Sequence, residues 1–141
     1  PLPLGPGDAE ACALLDRQAL GGLWSTAQWD RDLRGHGHRL IGLRDGDALL
    51  GLACGQVILD EFHLTAVAVH PAWRRLGLAQ RLLEALLGEA RAQGCRRATL
   101  EVDSSNGPAL ALYARLGFRT EGVRRAYYRT GGDALIQWAD I

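Results

Sequence analysis

A strand, a short basic loop and a long helix follow one another between residues 64 and 93, and this unit constrains the fold most. Residues 64–69 (LTAVAV) form an apolar run that ends at His70-Pro71, which predicts a strand. The helix is predicted over residues 78–93 from apolar residues at helical spacing: Leu78, Leu82, Leu83, Leu86 and Ala90. A strand that leads into a helix of this length indicates helices packed on a sheet.

The remaining patterns extend this unit into a mixed α/β chain. Asp8 and Ser25 are predicted N-caps of two early helices, and Asp45-Gly46-Asp47 is typical of a hairpin turn between two antiparallel strands. Helices are predicted over residues 8–20, 23–33 and 106–116. Further strands are predicted over residues 39–43, 48–59, 97–103, 118–123 and 134–138. We therefore expect residues 1–141 to form a single domain, a mixed sheet with helices on its faces.

Charge and cysteine content exclude several functional classes. The 16 basic and 16 acidic residues cancel, so net charge indicates no nucleic-acid or membrane partner. No apolar run approaches the roughly 18 residues of a membrane span. The three cysteines lack C-x-x-C spacing, and the pair His36 and His38 lacks a third ligand nearby, so we expect no disulfide framework and no metal site. Three unpaired thiols favour a reducing cytoplasm.

The loop between strand and helix, residues 69–83 (VHPAWRRLGLAQRLL), is suited to an anion. Backbone N–H groups of a first helical turn lack internal partners, and the helix dipole adds about half a positive charge there. Gly77 would let the backbone approach a ligand closely, so we expect residues 74–79 to hold a diphosphate. The alternative is a solvated basic turn. The loop matches neither G-x-x-x-x-G-K-S/T nor G-x-G-x-x-G, which disfavours triphosphatases and dinucleotide-dependent oxidoreductases.

Two blocks of the sequence resemble the GCN5-related N-acetyltransferase (GNAT) superfamily. Val69, Pro71, Arg74, Gly77 and Ala79 match its acetyl-coenzyme A signature, R/Q-x-x-G-x-G/A after a V-x-P strand end. Residues 100–118 (LEVDSSNGPALALYARLGF) resemble its second half, with a strand, an asparagine, a helix, a tyrosine and a terminal G-F. The resemblance implies a GNAT-like three-layer fold: a central, mostly antiparallel, twisted sheet flanked by helices, with splayed strands that bind the coenzyme.

The same resemblance implies acetyl-coenzyme A as co-substrate and direct transfer to an amine in a ternary complex. Asn106 would both cap its helix and hydrogen-bond the pantetheine arm, and the strand backbone at Val67 and Val69 would pair with that arm. The implied coenzyme-binding residues are Val67, Ala68, Val69, Arg74, Arg75, Leu76, Gly77, Leu78, Ala79, Asn106 and Tyr113.

Two residues are candidates for proton transfer. In the strand 97–103, Ala98, Leu100 and Val102 alternate to one face and leave Glu101 on the other. We expect Glu101 to be the general base, with a pKa raised by partial burial, and the family resemblance supports that role. The resemblance implies that Tyr113 protonates the leaving thiolate. The alternatives are a salt-bridged glutamate and a core tyrosine.

Further stretches resemble the RimI branch of the superfamily, which acetylates the N-terminal alanine of the eighteenth small-subunit ribosomal protein: residues 23–25, 56–61, 100–102 and 124–128. That branch often has proline at the position of Leu23 and a second glycine at Ala79. The resemblance implies a cytoplasmic enzyme that acetylates the N-terminal amine of a ribosomal protein, and we expect a monomer or a weak homo-oligomer. The acceptor cleft would be lined by Trp24, Glu61, Arg124, Tyr127 and Tyr128.

Acceptor chemistry leaves other functions open. An α-amine has a pKa of about 7.7 to 8.0 against about 10.4 for lysine, so a modest base suffices for it. The alternatives are an enzyme of the same fold that acetylates lysine or a small amine, and a non-catalytic acetyl-coenzyme A sensor.

Overall fold

A computed structural model describes residues 1–141, and its strands form one seven-stranded sheet in the order β1-β2-β3-β4-β5-β7-β6. The strands are β1 (Leu2–Pro3), β2 (His38–Asp45), β3 (Ala48–Ile58), β4 (Glu61–Val69), β5 (Arg97–Asp103), β6 (Arg119–Arg124) and β7 (Ala134–Asp140). The α-helices are α1 (Ala9–Ala19), α2 (Thr26–Arg34), α3 (Leu78–Ala92) and α4 (Gly107–Arg115). None of these helices is long and apolar enough to cross a membrane.

The predicted helices and strands are all present, with small differences at their ends. Ser25 caps α2, because its hydroxyl accepts a hydrogen bond from the Gln28 N–H at 3.2 Å. Asp8 precedes α1 but does not cap it; its carboxylate accepts from the Gly5 N–H and pairs with Arg44. β4 begins at Glu61, three residues earlier than predicted, since residues 61–63 pair with both neighbouring strands. The two-residue β1 was not predicted.

Two hydrophobic clusters, one on each face of the sheet, produce the three layers that the resemblance implies. Consecutive residues of a strand point to opposite faces, and Leu40 and Ile41 accordingly belong to different clusters. The larger cluster packs α3 and α4 on one face, and the smaller one packs α1 and α2 on the other. All neighbouring strands are antiparallel except β4 and β5.

A bulge in β4 changes which residues face each helical layer. The β3–β4 register shifts between Cys54 and Gly55, which leaves Thr65 as an extra residue in β4. Before the bulge, Phe62 and Leu64 pack in the α3–α4 cluster; after it, residues 66 and 68 pack in the α1–α2 cluster. The Thr65 hydroxyl donates to the Cys54 carbonyl at 3.2 Å, which stabilises the irregular backbone.

The parallel pair β4–β5 is joined only at its start. Residues 61–63 pair with residues 97–99, and the two strands then separate. We call this opening the fork, formed by residues 64–69 of β4 and residues 100–103 of β5. It confirms the expectation of splayed strands, and it leaves backbone groups along one edge of each strand without a ladder partner.

Candidate active site

A cleft of about 720 Å³ opens beside the β4 arm of the fork, between the loop before α3 and the helix α4. Most of the coenzyme-binding residues implied by the sequence line it: Val67, Ala68, Val69, Arg74, Arg75, Gly77, Leu78, Ala79 and Asn106. Leu76 and Tyr113 do not line it. Leu76 is 61% exposed in the loop, and Tyr113 is buried in the core below α4. The implied coenzyme residues therefore come together around one cavity, with these two exceptions.

The N-terminus of α3 lines this cleft and has the features of an anion site. Gly77 is the residue before the helix and has a φ of 74°, a left-handed conformation that glycine adopts without a Cβ clash. The first intrahelical hydrogen bond runs from the Arg81 N–H to the Gly77 carbonyl, so the N–H groups of residues 78–80 have no partner inside the helix. A diphosphate in the cleft would receive hydrogen bonds from these groups and from the positive end of the helix dipole.

The two loop arginines differ in their contacts. The Arg74 guanidinium donates to the Val69 carbonyl at 3.3 Å and to the Ala19 carbonyl at 3.2 Å, so it ties the end of β4 to the end of α1. Arg75 has a left-handed backbone, with φ of 66°, and its exposed side chain lines the same cleft. The Arg74 side chain therefore positions the loop, and Arg75 is the better candidate for a direct contact with phosphate.

Asn106 lies where both of its expected roles require it, at the start of α4 and beside the cleft. Its side-chain oxygen accepts from the Ala109 N–H at 3.3 Å and caps α4, and its side chain also lines the cleft. At the other end of α4, Arg115 lines the cleft and donates to the Gln80 side-chain oxygen at 3.3 Å. Arg115 adds a positive charge that sequence reasoning missed, because nothing in the local pattern brings the end of α4 next to the start of α3.

Glu101 lies on the β5 arm of the fork, on the face opposite to the α3–α4 cluster. Its neighbours Leu100 and Val102 are buried in that cluster, which confirms the predicted alternation. The Glu101 side chain is 36% exposed, and its Oε1 lies 3.5 Å from Nε of Arg124. The carboxylate is thus partly open to solvent and pairs with Arg124.

Tyr113 is a buried phenol on α4. Its ring packs edge-to-face against Phe118, with centroids 5.9 Å apart, and the residue is 8% exposed. Burial, and to a smaller degree the nearby Tyr128, raises the pKa of Tyr113 to about 12. The hydroxyl therefore keeps its proton at neutral pH, as a proton donor must. Tyr113 is also a core residue, so its structural and proposed chemical roles coincide.

The segment between β6 and β7 brings three predicted acceptor residues beside Glu101. The Arg124 guanidinium lies over the Tyr127 ring, 5.6 Å from its centroid, and Tyr127 packs edge-to-face on Tyr128 at 5.2 Å. The pKa of Tyr128 is raised by burial first and then by the charges of Asp103, Glu101 and Tyr127. Arg124, Tyr127 and Tyr128 therefore surround one end of the fork.

Asp133 holds this segment in place, although no sequence motif indicates that role. Its carboxylate accepts from the Ala126 N–H at 2.9 Å, and its carbonyl accepts from the Ser104 N–H at 2.9 Å. Ala126 has a φ of 49°, which costs a non-glycine residue roughly 1–2 kcal/mol. The two hydrogen bonds help to offset that cost and tie the segment to the end of β5.

Trp24 and Glu61 lie apart from this group. The Trp24 ring packs edge-to-face on the fully buried Trp29, with centroids 4.7 Å apart, and the Trp24 backbone N–H donates to the buried Asp16 carboxylate. Glu61 lies at the start of β4, with its Oε1 3.6 Å from Nε2 of His63. The contacts of Trp24 belong to the α1–α2 core, whereas Glu61 shares the sheet face of Glu101. Their roles as acceptor contacts remain predictions.

No group of three or more His, Cys, Asp or Glu side chains is arranged to hold a metal ion. The cysteine thiols are all free and buried. Burial raises the pKa of Cys12 and Cys54 to about 12 and also raises that of Cys95, so these thiols stay protonated. A protonated, buried thiol is a poor nucleophile, which is consistent with transfer that does not pass through a cysteine.

Comparison with known proteins agrees with this geometry. Residues 10–118 match the model of the acetyltransferase (GNAT) family. The N-alpha-acetyltransferase RimI of Mycobacterium tuberculosis is 37% identical over 140 residues, which cover 94% of this chain and 87% of that protein. The crystal structure of the ribosomal-protein-S18-alanine N-acetyltransferase from Escherichia coli superimposes with a TM-score of 0.91 at 34% identity, covering 99% of this chain and 91% of that one.

A more distant structure shows that the fold extends beyond close relatives. Arabidopsis thaliana NAA60, solved in complex with acetyl-coenzyme A, has a TM-score of 0.85 at 18% identity and covers 99% of this chain and 96% of its own. At this level of identity the likeness concerns the fold alone.

Proposed function

This chain belongs to the acetyltransferase (GNAT) family, and we propose that it transfers the acetyl group of acetyl-coenzyme A to the N-terminal α-amine of a protein. The acceptor we propose is an N-terminal alanine of a small-subunit ribosomal protein, in the cytoplasm. The observation that carries the proposal is the extent of similarity to two relatives that bear such names. It covers 94% and 99% of this chain and so includes both arms of the fork and the β6–β7 segment.

The cleft residues would hold the co-substrate along the β4 arm. The unpartnered N–H groups of residues 78–80, together with Arg75 and Arg115, would bind the diphosphate. The free edge of β4 after Thr65 offers backbone donors and acceptors to an extended pantetheine arm. These contacts would direct the thioester toward the point where β4 and β5 separate.

Glu101 and Tyr113 would divide the proton transfers. An amine attacks a thioester only in its neutral form, and the thiolate that leaves needs a proton. We assign the first role to Glu101, which is open to solvent on the acceptor side. We assign the second to Tyr113, whose raised pKa retains the phenolic proton until the carbon–sulfur bond breaks. The nitrogen bonds directly to the carbonyl carbon, without an acyl-enzyme.

The acceptor peptide would enter on the Glu101 face of the sheet. Tyr127 is 51% exposed there, and Arg124 lies between its ring and Glu101. An aromatic surface beside a carboxylate suits a peptide backbone that ends in an ammonium group, because the ring contacts the first residues and the carboxylate receives the charge.

The proposal is tested with two peptides and acetyl-coenzyme A. One peptide begins with a free alanine and carries the ribosomal sequence; its matched control has the same sequence with a blocked N-terminus and one internal lysine. Mass spectrometry and thiol release are followed together. We expect acetylation of the first peptide only. Modification of the lysine peptide would assign a side-chain acetyltransferase, and coenzyme binding without release of thiol would assign a sensor.

A further inference from the structure

A buried carboxylate that the proposed chemistry does not use lies beneath the segment between α1 and α2. Asp16, in the last turn of α1, is fully buried and takes part in none of the ion pairs of the protein. Its Oδ1 accepts from the Leu23 backbone N–H at 2.7 Å, and its Oδ2 accepts from the Trp24 backbone N–H at 2.8 Å and the Trp29 indole at 2.9 Å. A buried carboxylate is costly unless it is hydrogen-bonded, so Asp16 and the segment that supplies these donors stabilise one another.

Asp16 binds nearly every backbone N–H of this segment, residues 20–24, which we call the α1–α2 loop. Its main-chain carbonyl accepts from Leu20 at 2.7 Å and from Gly22 at 3.3 Å, and its carboxylate accepts from residues 23 and 24. Gly21 and Gly22 have φ of 75° and 87°, so two neighbouring residues of the loop have few steric limits of their own. The fixed conformation of the loop therefore depends on Asp16, and its second half depends on the carboxylate.

The α1–α2 loop borders the fork on the acceptor face. Ala19 and Leu20 line the coenzyme cleft beside the β4 arm, and the Arg74 guanidinium ties the Ala19 carbonyl to the end of that arm. The Trp24 ring packs against the α1–α2 cluster, which lies on the sheet face that carries Glu101. The loop therefore runs along the same face on which we propose that the acceptor peptide enters.

The loop presents apolar side chains to solvent at this place. Leu20 is 39% exposed and Leu23 is 52% exposed, whereas the Trp24 ring turns inward and packs on Trp29. A loop that has to become ordered when a ligand binds weakens the affinity, and a loop that is already fixed avoids that cost. Exposed leucines on a backbone that a buried carboxylate holds are thus suited to contact a peptide.

We propose that Asp16 is a positioning residue for acceptor binding, because its carboxylate holds the α1–α2 loop so that Leu23 contacts the first residues of the acceptor peptide. This inference rests on the proposed function. Asp16 touches neither reactant and takes no part in proton transfer; it acts through the loop. The contact is apolar, in contrast to the charged and aromatic contacts that the β6–β7 segment offers across the fork.

The test compares Asp16→Asn with Trp29→Phe. Asparagine has one acceptor oxygen, so in either orientation of its amide one of the two loop hydrogen bonds is lost and an NH2 group faces an N–H. We expect KM for the alanine peptide to rise about tenfold and kcat to change less than about twofold. Trp29→Phe loses one hydrogen bond to the same carboxylate and keeps an aromatic ring beside Trp24, but both loop bonds remain. Its KM should stay within about twofold of wild type.

Amide hydrogen exchange, followed by NMR, gives a readout that does not depend on activity. In Asp16→Asn the amide of Leu23 or of Trp24 should exchange at least about tenfold faster than in wild type. The Leu20 amide, which donates to the main-chain carbonyl of residue 16, should keep its wild-type rate. Faster exchange across the whole of α1 would instead show a general loss of stability and would count against a positioning role.

Leu23→Ala leaves Asp16 and the core intact, and it should raise KM about threefold to fivefold with kcat unchanged. An unchanged KM in Asp16→Asn, or an equal rise in Trp29→Phe, would overturn the inference. If Asp16→Asn does not fold, Leu23→Ala decides, and an unchanged KM in that variant would overturn the inference. A wild-type protein that does not acetylate the peptide would refute the proposed function, whereas an active wild type with unaltered variants would refute only the role of Asp16.

Discussion

The two sides of the fork are built in different ways. On the coenzyme side, the groups offered to a ligand are mostly backbone: the edge of β4, the loop at Gly77 and the first turn of α3. On the acceptor side they are side chains from separate segments: Glu101 from β5 and Arg124, Tyr127 and Tyr128 from the β6–β7 region. The first side depends on local conformation, and the second depends on how distant strands pair.

From this difference we expect the two sides to tolerate side-chain changes differently. A backbone site requires a glycine with positive φ and a helix start, but it tolerates changes in most side chains. A site built from side chains changes whenever one of those residues changes, so we expect the acceptor side to determine substrate choice.

The substitution Tyr113→Phe should have the largest effect, because it should lower kcat and leave coenzyme binding on the other side of the comparison unchanged. The ring and its packing against Phe118 are retained, but the proton donor is lost, so we expect kcat to fall by about 10²-fold to 10³-fold. The dissociation constant for acetyl-coenzyme A should stay within about twofold of wild type, since Tyr113 does not line the cleft. Steady-state kinetics with calorimetry measures both, and an unchanged kcat would remove the proton-donor role.

Glu101→Gln is the matching change on the acceptor side. The amide retains the shape of the side chain and cannot take a proton, so we expect kcat to fall by about 10²-fold. Coenzyme affinity should again be unaltered. Full turnover by this variant would mean that Glu101 only pairs with Arg124, as the structural alternative holds.

On the coenzyme side, Gly77→Ala should weaken binding without altering the chemistry. An added Cβ meets no atom within 4 Å, so its cost comes from the φ of 74° alone, roughly 1–2 kcal/mol. If the loop must hold that conformation to bind acetyl-coenzyme A, the dissociation constant of the variant for the coenzyme should rise about tenfold. Gly88→Ala, in open space within α3, is the control and should instead stabilise the fold by about 0.5–1 kcal/mol. Equal coenzyme affinity in the two variants would contradict a backbone-built site.

Asp133→Ala tests whether the β6–β7 segment belongs to the acceptor side alone. Loss of the hydrogen bond to the strained Ala126 costs about 1 kcal/mol, so KM for the peptide should rise about fivefold. Coenzyme affinity should not change. Asp47→Ala, in the exposed β2–β3 turn, is the control, and a shift in coenzyme affinity for Asp133→Ala would show that the two sides are coupled.

The smallest expected effect concerns the thiols, which belong to neither side. With pKa values raised to about 12, Cys12 and Cys54 should not react with an aromatic disulfide reagent at about pH 8 in the native protein. Folding raises these two thiol pKa values from about 9 to about 12. The buried, protonated thiols therefore contribute fully to the free energy of unfolding below about pH 9, and this contribution is lost as pH rises toward about 12. Rapid labelling of native protein would show that a cysteine is accessible and would reopen a covalent route.

Sequence patterns predicted one side of the fork better than the other for a physical reason. The strand, loop and helix around Gly77 are contiguous, so the family motif there located eight of the nine implied coenzyme residues that line the cleft, and the second block supplied Asn106. Arg115 and Asp133 could not be found this way, because they act through contacts distant in sequence. Trp24 had a matching motif, but its ring packs in the α1–α2 core.

The most direct measurement is a crystal structure with a bisubstrate compound in which coenzyme A is joined through an acetyl bridge to the nitrogen of an alanine-start peptide. We predict that the diphosphate contacts the N–H groups of residues 78–80 and that the bridged nitrogen lies at the fork, on the face that carries Glu101. The peptide should extend along Tyr127. A peptide bound instead on the α3–α4 side of the sheet, away from Glu101, would contradict the division of the fork into a coenzyme side and an acceptor side.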